Sequence, residues 1–493
     1  MLSLFLFLLC HTFSPFDYSV KVKILVFWER LMDRKRGAKR ETKYFGTDGF
    51  RGEFGRELLP KHAFLVGRFL GWYFGEWLGF CGRILIGRDT RESSFILESE
   101  LARGITLSGA DAYLLGVSTT PATSYLCEAG GFDAAVMITA SHNPHRDNGI
   151  KVLGCHGEKL DEETTAFLED YIDGDLAALG IKGRELPTEK SGRAINHSSA
   201  KEDYMRHLSL AAGSLSGLKI GLDCANGAAY KMAPEVFRSL GAEVREIGCR
   251  PDGRNINLGV GSTHIDALQD LVKSEGLDMG FAFDGDGDRC IAVDASGEVI
   301  DGDREMLILA KALKDAGELF SDTLVTTVMS NKGLAEALKE SGIMTEVTPV
   351  GDRFVFEKMM SEGYTLGGEQ SGHIIIRKYA STGDGILTAI CLASLSAEKG
   401  QGLLALSEGF TPFPQVTENI AVTDKDRMMI DQRLIALHKE TAEEIGNEGR
   451  ILLRKSGTEN LIRVMIEHKN PDKCKHYVVK IADFIREIEK SYE

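Results

Sequence analysis

The chain has 493 residues, 43% of them hydrophobic, and a formal net charge of -15. That length asks for several domains with ordinary globular cores, and the acidic balance speaks against nucleic acid as a partner. Nine cysteines, none in a C-x-x-C pair, speak against a disulfide framework or a cysteine zinc site and suit reduced thiols in a cytoplasm.

Residues 1–42 differ from the rest and read as a leader outside the domain pattern. The apolar run Leu2 to Leu9 is too short to span a bilayer, and no Lys or Arg precedes it. Asp33 to Arg40 is strongly basic. The expectation is a start at Met32 and no function in this segment. From Lys43 the pattern becomes regular. Tyr44 to Gly52 is a glycine-punctuated loop carrying Arg51. His62 to Phe80 holds Phe69, Trp72, Tyr73 and Trp77 at near-helical spacing, which predicts core packing rather than a ligand box. Strand-like runs follow at 83–87, 112–116 and 134–138, with helical stretches at 92–108 and 121–129 between them. Alternation of this kind predicts a mostly parallel sheet covered by helices.

The rhythm returns around the strands 218–222 and 279–283, and again around 323–329 and 345–350. The chain reads as three similar α/β units with mixed, mostly parallel sheets. Residues 416–493 change order, with strands at 418–422, 450–453 and 462–466 and helices at 426–445 and 472–489. That predicts a C-terminal α+β domain. The expected domains are 43–190, 198–298, 299–410 and 414–493, with linkers near 180–199, 296–302 and 409–415.

Several loops carry groups suited to chemistry. Thr139-Ala140-Ser141-His142-Asn143-Pro144 follows a strand, where open α/β sheets bind ligands. Ser141 is a candidate nucleophile or a serine that satisfies turn amides. The neighbouring His142 is not expected to form a dyad with it, because adjacent residues on a strand point to opposite faces. Asp147 to Lys151 reads as a loop that offers Lys151 as a proton shuttle or phosphate contact, or simply as a solvated lysine.

Asp284-Gly285-Asp286-Gly287-Asp288-Arg289 lies between two strand-like runs. Its three carboxylates alternate, so on an extended backbone they share a face. They repel one another unless a hard divalent cation such as Mg²⁺ sits among them. A solvated acidic turn is the plainer reading. A calcium EF-hand is excluded, because Arg289 and Ala295 stand where it needs Gly and Glu. Arg289 adds a fixed charge that can fork onto a phosphate. Gly367 to His373 places Glu369, Ser371 and His373 on one face of an extended loop, suited to sugar hydroxyls and acid/base work, or forms a polar hairpin turn. Arg454 to Asn460, with Arg463, combines two arginines, two hydroxyls and a glycine turn. That suits a phosphate cradle or a basic surface turn. A Walker A loop is excluded by the lack of any Gly-Lys pair, and the 259–264 stretch lacks the third glycine of a dinucleotide fingerprint.

These four loops, taken in order from Lys43 to the C-terminus, resemble the α-D-phosphohexomutase superfamily. Within it the likeness is closest to the branch that acts on glucosamine phosphates, carried by Tyr44 to Gly52, Asp147 to Lys151, Gly261 to His264, Met329 to Asn331 and Glu369 to His373. The resemblance implies four domains around a central cleft and isomerisation of a sugar phosphate through a phosphoserine, Mg²⁺ and a hexose bisphosphate that is both intermediate and activator. It implies that Ser141 carries the phosphoryl group and binds the metal with Asp284, Asp286 and Asp288. Arg51 and Arg289 would lie beside the transferring group, with Lys151 and His373 as acid/base candidates. Glu369 and Ser371 would hold the sugar. Arg454, Ser456, Gly457, Thr458 and Arg463 would grip the non-reacting phosphate. The implied partner is a small-molecule sugar phosphate, with no nucleic acid or membrane, a cytoplasmic location, and a homodimer as one possible assembly. Asn460 and Lys332 depart from the family's usual Pro and Leu. A sister branch acting on glucose or mannose phosphates, a metal-dependent phosphohydrolase and a non-enzymatic sugar-phosphate binder are the rival readings.

Overall fold

A computed structural model describes residues 43–46, 49–78, 82–174, 191–456 and 460–492. The leader expected over residues 1–42, and Gly457 and Thr458 of the expected phosphate loop, lie outside the described residues. No helix among the described residues is long and apolar enough to cross a membrane.

The first sheet contains β1 (Phe45–Gly46), β2 (Gly49–Glu53), β3 (Arg83–Arg88), β4 (Asp111–Val117), β5 (Ala134–Ile138), β6 (Asp147–Leu153) and β7 (Ala194–Asn196), in the order β1-β2-β6-β5-β3-β4-β7. The second contains β8 (Lys219–Asp223), β9 (Glu243–Ile247), β10 (Met279–Phe283), β11 (Cys290–Asp294) and β12 (Val299–Ile300), in the order β12-β11-β10-β8-β9. The third contains β13 (Thr323–Thr327), β14 (Met344–Thr348), β15 (Leu366–Gly368) and β16 (Ile374–Ile376), in the order β14-β13-β15-β16.

One pattern repeats in all three sheets. A first strand pairs in parallel with the next two strands in sequence, and the second of these pairs antiparallel with a return strand: β3/β4/β5/β6, β8/β9/β10/β11 and β13/β14/β15/β16. The three units are therefore topological copies. The hairpin closing each one is the Ser141 loop, the Asp284 loop and the Glu369 turn respectively. The central parallel strands, such as β5, β10 and β13, are buried along their whole length, which explains continuous apolar runs such as Ala134–Ile138.

The helix Pro60–Leu70 continues into a π-helical stretch, Gly71–Trp77, and buries Phe69, Trp72 and Tyr73 in the first core. A second cluster runs without a break from one face of the first sheet, through Ile220 and Phe281, to Leu324 and Leu366 of the third. The fourth sheet is separate. It is fully antiparallel, β17 (Gln415–Ala421), β18 (Gly449–Lys455) and β19 (Leu461–His468) in the order β17-β19-β18, with its own core against the helix Pro471–Lys490.

Three local expectations fail. The segment from Asp147 to Lys151 is not a loop but the start of β6, paired with both β5 and β2. Its Asp-Asn-Gly opening reads as a turn, yet Asn148 turns its amide onto Ser93 and Ser94 Oγ (2.8 and 2.9 Å) instead. Tyr44 to Gly52 likewise contributes the short strands β1 and β2. The single helix expected over 426–445 is two, Lys425–Met429 and Gln432–Ile445, because Asp431 caps the second by accepting from Arg433 N.

Candidate active site

Ser141 sits in the β5–β6 hairpin at φ 52 and is 1% exposed. The left-handed conformation disfavours a serine, so surrounding contacts must hold it. Its N–H donates to Thr139 Oγ1 (2.9 Å), and its Oγ donates to Asp284 Oδ2 across the domain boundary (2.5 Å). Because of this turn, strand alternation does not separate Ser141 from His142: Oγ lies 3.4 Å from His142 Nδ1. Asp284 is still its closer partner.

The β10–β11 hairpin brings ligand-type oxygens of Asp284, Asp286 and Asp288 within 4.8 Å of one another, all buried. Gly287, at φ 73, permits the tight turn. Asp284 Oδ1 accepts from the Asp288 and Arg289 amides (3.1 and 3.2 Å). Burial and the two neighbouring carboxylates push its carboxyl pKa well above the ordinary range. Asp286 is raised by burial and by Asp288, but Lys151 brings it below its usual value. Asp288 is likewise disfavoured as an anion by burial, yet Lys151 and His373 hold it well below.

The buried oxygens Asp286 Oδ1 and Asp288 Oδ1 have no hydrogen-bond partner among the described residues. Three mutually repelling carboxylates, two spare lone-pair sites and an adjacent serine oxygen form an all-oxygen donor set that fits a hard divalent cation such as Mg²⁺.

Positive groups surround the triad. Lys151, expected as a proton shuttle, a phosphate contact or a solvated loop lysine, is buried on β6 and donates to Asp286 Oδ2 (2.6 Å), with Asp288 Oδ2 at 3.5 Å. Thr120 Oγ1 also donates to Asp286 Oδ2 (2.6 Å). His373 Nδ1 stands 3.7 Å from Asp288 Oδ2, so Lys151 and His373 flank the same carboxylate oxygen. Burial alone would lower the His373 pKa, but Asp288 and Asp352 raise it on balance. The Gly383 amide, donating to Nε2 (3.1 Å), opposes a proton at that nitrogen. Arg289 stays cationic despite burial because all three aspartates face it; its Nε stands 3.9 Å from Asp288 Oδ1 and has no hydrogen-bond partner among the described residues. Arg51 lies on β2 opposite Gly149. Burial, then Arg289 and Arg51, push the His142 pKa down.

The Glu369–His373 segment is not extended as expected. It is the tight β15–β16 turn, closed by Gly372 N to Glu369 O (3.0 Å) and Glu369 N to His373 O (3.0 Å). His373 faces Asp288, Glu369 Oε1 accepts from Gly351 N (3.0 Å), and the buried Ser371 Oγ has no hydrogen-bond partner among the described residues. The turn is pressed onto the second domain, where Cys290 N donates to Gly372 O (3.1 Å).

Arg454 and Arg463 are register partners across β18–β19, so their side chains share one face of that hairpin. Ser456 is buried, and its carbonyl accepts from Lys425 Nζ (2.7 Å). This hairpin tip lies at the opposite end of its strands from Gly449 and Glu467, which accept from Lys332 of the third domain. Direct contacts thus join Ser141, the three aspartates, Lys151, Arg289 and His373, while Arg454, Ser456 and Arg463 belong to a separate hairpin.

Sequence reading missed four residues of the cluster's surroundings: Thr120, Asp89, Arg91 and Asn257. Arg91 and Asp89 belong to Gly87-Arg88-Asp89-Thr90-Arg91 at the end of β3, and a charged run at a strand's C-terminal end was an available signal.

Profiles of the phosphoglucomutase/phosphomannomutase family match the chain in succession: alpha/beta/alpha domain I over residues 42–177, domain II over 202–297, domain III over 301–413 and the C-terminal domain over 418–484. A phosphoglucosamine mutase of Lachnospira eligens is 48% identical over 446 residues, covering 90% of this chain and 98% of the relative. A phosphoglucomutase/phosphomannomutase family protein of Burkholderia thailandensis superposes with a TM-score of 0.74 at 24% identity, covering 91% of this chain and 97% of that one. Aspergillus fumigatus N-acetylphosphoglucosamine mutase, solved with GlcNAc-6P and magnesium, gives 0.64 at 18% identity over 97% and 100% of the two chains. Four family domains in order, each α/β domain closing on one loop of a single buried cluster, place this chain in the phosphoglucomutase/phosphomannomutase family of the α-D-phosphohexomutases.

Proposed function

We propose that the protein interconverts glucosamine 6-phosphate and glucosamine 1-phosphate through a phosphoserine at Ser141. Ser141 Oγ, held 2.5 Å from Asp284 inside the acidic cluster, carries the reading. The choice of hexose rests on likeness to the phosphoglucosamine mutase relative. Phospho-Ser141 passes its phosphoryl group to the free O1 hydroxyl of glucosamine 6-phosphate, giving glucosamine 1,6-bisphosphate. The bisphosphate turns over in the cleft, its 6-phosphoryl group returns to Ser141, and glucosamine 1-phosphate leaves.

Transfer of this kind depends on position and on neutralised charge. Asp284, Asp286, Asp288 and the Ser141 oxygen would hold Mg²⁺, which when bound offsets negative charge on the phosphoryl group. Arg289 and Arg51 stand beside the group that moves. Lys151 and His373 take and return the hydroxyl proton, and Asp288 between them holds both in place. Glu369 and Ser371 bind sugar hydroxyls. The 454–463 hairpin grips the phosphate that does not react, Arg454 and Arg463 presenting a shared basic face.

Phosphorus NMR tests the reading. Enzyme, Mg²⁺ and catalytic glucose 1,6-bisphosphate are mixed with glucosamine 6-phosphate. An anomeric phosphate resonance should grow, at a kcat/KM at least about tenfold above that for glucose 6-phosphate, or roughly 1.4 kcal/mol. Release of inorganic phosphate alone would make the protein a phosphohydrolase. Preference for glucose or mannose 6-phosphate would move it to the sister branch.

A further inference from the structure

The carbonyl oxygens of the Ser141 loop converge on two donors from different domains. Arg91 donates through Nη2 to Ser141 O (3.0 Å) and Asn143 O (2.9 Å), and through Nη1 to Pro144 O (2.5 Å). From the second domain, Asn257 Nδ2 donates to Ser141 O (2.8 Å) and Asn143 O (3.0 Å). Neither side chain hydrogen-bonds to Asp284, Asp286 or Asp288, and both act on the backbone of the serine loop.

Both donors are themselves fixed. The Arg91 side chain is fully buried, and its Nε pairs with the equally buried Asp89 Oδ2 (2.8 Å). Asp89 Oδ1 accepts from Arg91 N and Ser94 Oγ (3.0 and 2.7 Å), so the carboxylate cannot swing away. Asn257 has φ 59, and its N–H donates to Ala225 O (2.8 Å) in the domain that carries the acidic loop. The two loops are in close contact, since a Cβ added to Gly285 would lie 2.4 Å from Ser141 O.

We infer that Arg91 and Asn257 are positioning residues for the nucleophile: together they clamp the Ser141 carbonyl and so aim Oγ at Asp284. The inference rests on the proposed phosphoserine mechanism and deepens it. Three backbone carbonyls brought together repel one another and, left buried and unpaired, would turn outward. A planar guanidinium can satisfy all three at once, which a lysine ammonium cannot do with the same geometry. Asn257 adds what Arg91 cannot, a tie to the second domain. The serine oxygen is both leaving group and returning nucleophile within one cycle, so it must come back to one position. A misplacement of about 1 Å costs on the order of 100-fold in rate.

The variants are Asn257→Gly, which fits the left-handed backbone while removing the amide, and Arg91→Lys, which keeps the charge. Steady-state kinetics with glucosamine 6-phosphate should show kcat lower by about 10- to 100-fold for Asn257→Gly, with KM within about twofold. Rephosphorylation of dephospho-Ser141 by glucose 1,6-bisphosphate, followed by intact mass, should slow by the same factor. Mg²⁺ affinity measured by calorimetry should stay within about twofold, because the carboxylates are untouched. A merely structural role would lower melting temperature and Mg²⁺ affinity together and leave kcat per folded molecule unchanged. That outcome, or wild-type rephosphorylation in folded Asn257→Gly, would overturn the inference. Arg91→Lys should reproduce the kcat loss. If it fails to fold, Asn257→Gly still decides. An inactive wild type would instead refute the functional reading, and the rephosphorylation ratio would still test the clamp.

Discussion

Ser141 is buried, left-handed and bonded to Asp284. Its fixed position separates the roles of the residues around it. Arg463 lies on the exposed face of a hairpin in another domain, where on the proposed reading it would contact the phosphate that keeps its bonds throughout a half-reaction. Such a contact is equally strong in ground and transition states, so Arg463→Ala should raise KM by about tenfold and leave kcat nearly unchanged. Asp286 is at the reacting end and also orders Lys151 and Thr120, each at 2.6 Å. Asp286→Ala should lower kcat by at least about 100-fold with little change in KM. Steady-state kinetics on both variants checks the split. Equal losses in kcat at unchanged KM would mean that the two ends have been assigned wrongly.

At the scale of the element, the helix Gly302–Asp315 joins the second domain to the third and opens on buried carboxylates. Burial, then Asp301, push the Asp303 pKa from 3.8 up to about 8. Between those values the folded protein holds a proton that the unfolded chain releases, so unfolding free energy falls as pH rises and levels off above about pH 8. Asp303→Asn keeps an acceptor for Asn331 N but cannot ionise. In urea titrations the variant should therefore gain on wild type steadily from about pH 4 to about pH 8. A difference that does not change with pH would show that Asp303 is already ionised.

The elements also show where sequence reading reaches its limit. Strands β5, β10 and β11 and the acidic loop were legible, because apolar runs bounded by glycine and aspartate state their local structure directly. The start of β6 was not, since Asp147-Asn148-Gly149 reads as a turn and only its pairing with β2 and β5 makes it a strand. Lys151 was seen as a candidate, but not its burial, which depends on carboxylates 135 and 137 residues away. Arg91 and Asn257 act on Ser141 from 50 and 116 residues away, and no local pattern encodes such a contact.

Across the whole molecule, the three α/β domains share continuous apolar packing, whereas the fourth has its own core and docks through polar groups. Arg450 pairs with the buried Glu467 (2.5 Å) and donates to Val328 O and Ser330 O (3.0 and 2.6 Å). Lys332, which departs from the family's usual leucine, reaches Asn447 O and Gly449 O (2.6 and 3.0 Å). A domain held this way can rock, as the proposed turn of a bisphosphate would require, because polar contacts exchange with water at small net cost. Arg450→Met would leave the buried Glu467 without its charged partner and with only the Lys332 N–H (3.3 Å), weakening the docking by about 3 kcal/mol. Calorimetry should then show a separate, earlier transition for the fourth domain. One unchanged transition would contradict a separable domain.

In the proposed cycle Ser141 itself carries the phosphoryl group. Its hydroxyl is buried rather than set on a surface loop, so Ser141→Ala loses one hydrogen bond, worth about 1 kcal/mol, and should still fold. The direct test is turnover as a function of phosphate occupancy at Ser141, read by intact mass as an increment of about 80 Da and located by peptide map. Turnover should rise in proportion to occupancy, fall nearly to zero after phosphatase treatment and return on adding glucose 1,6-bisphosphate, with Ser141→Ala inactive throughout. Full turnover at zero occupancy, or from Ser141→Ala, would contradict the phosphoenzyme mechanism.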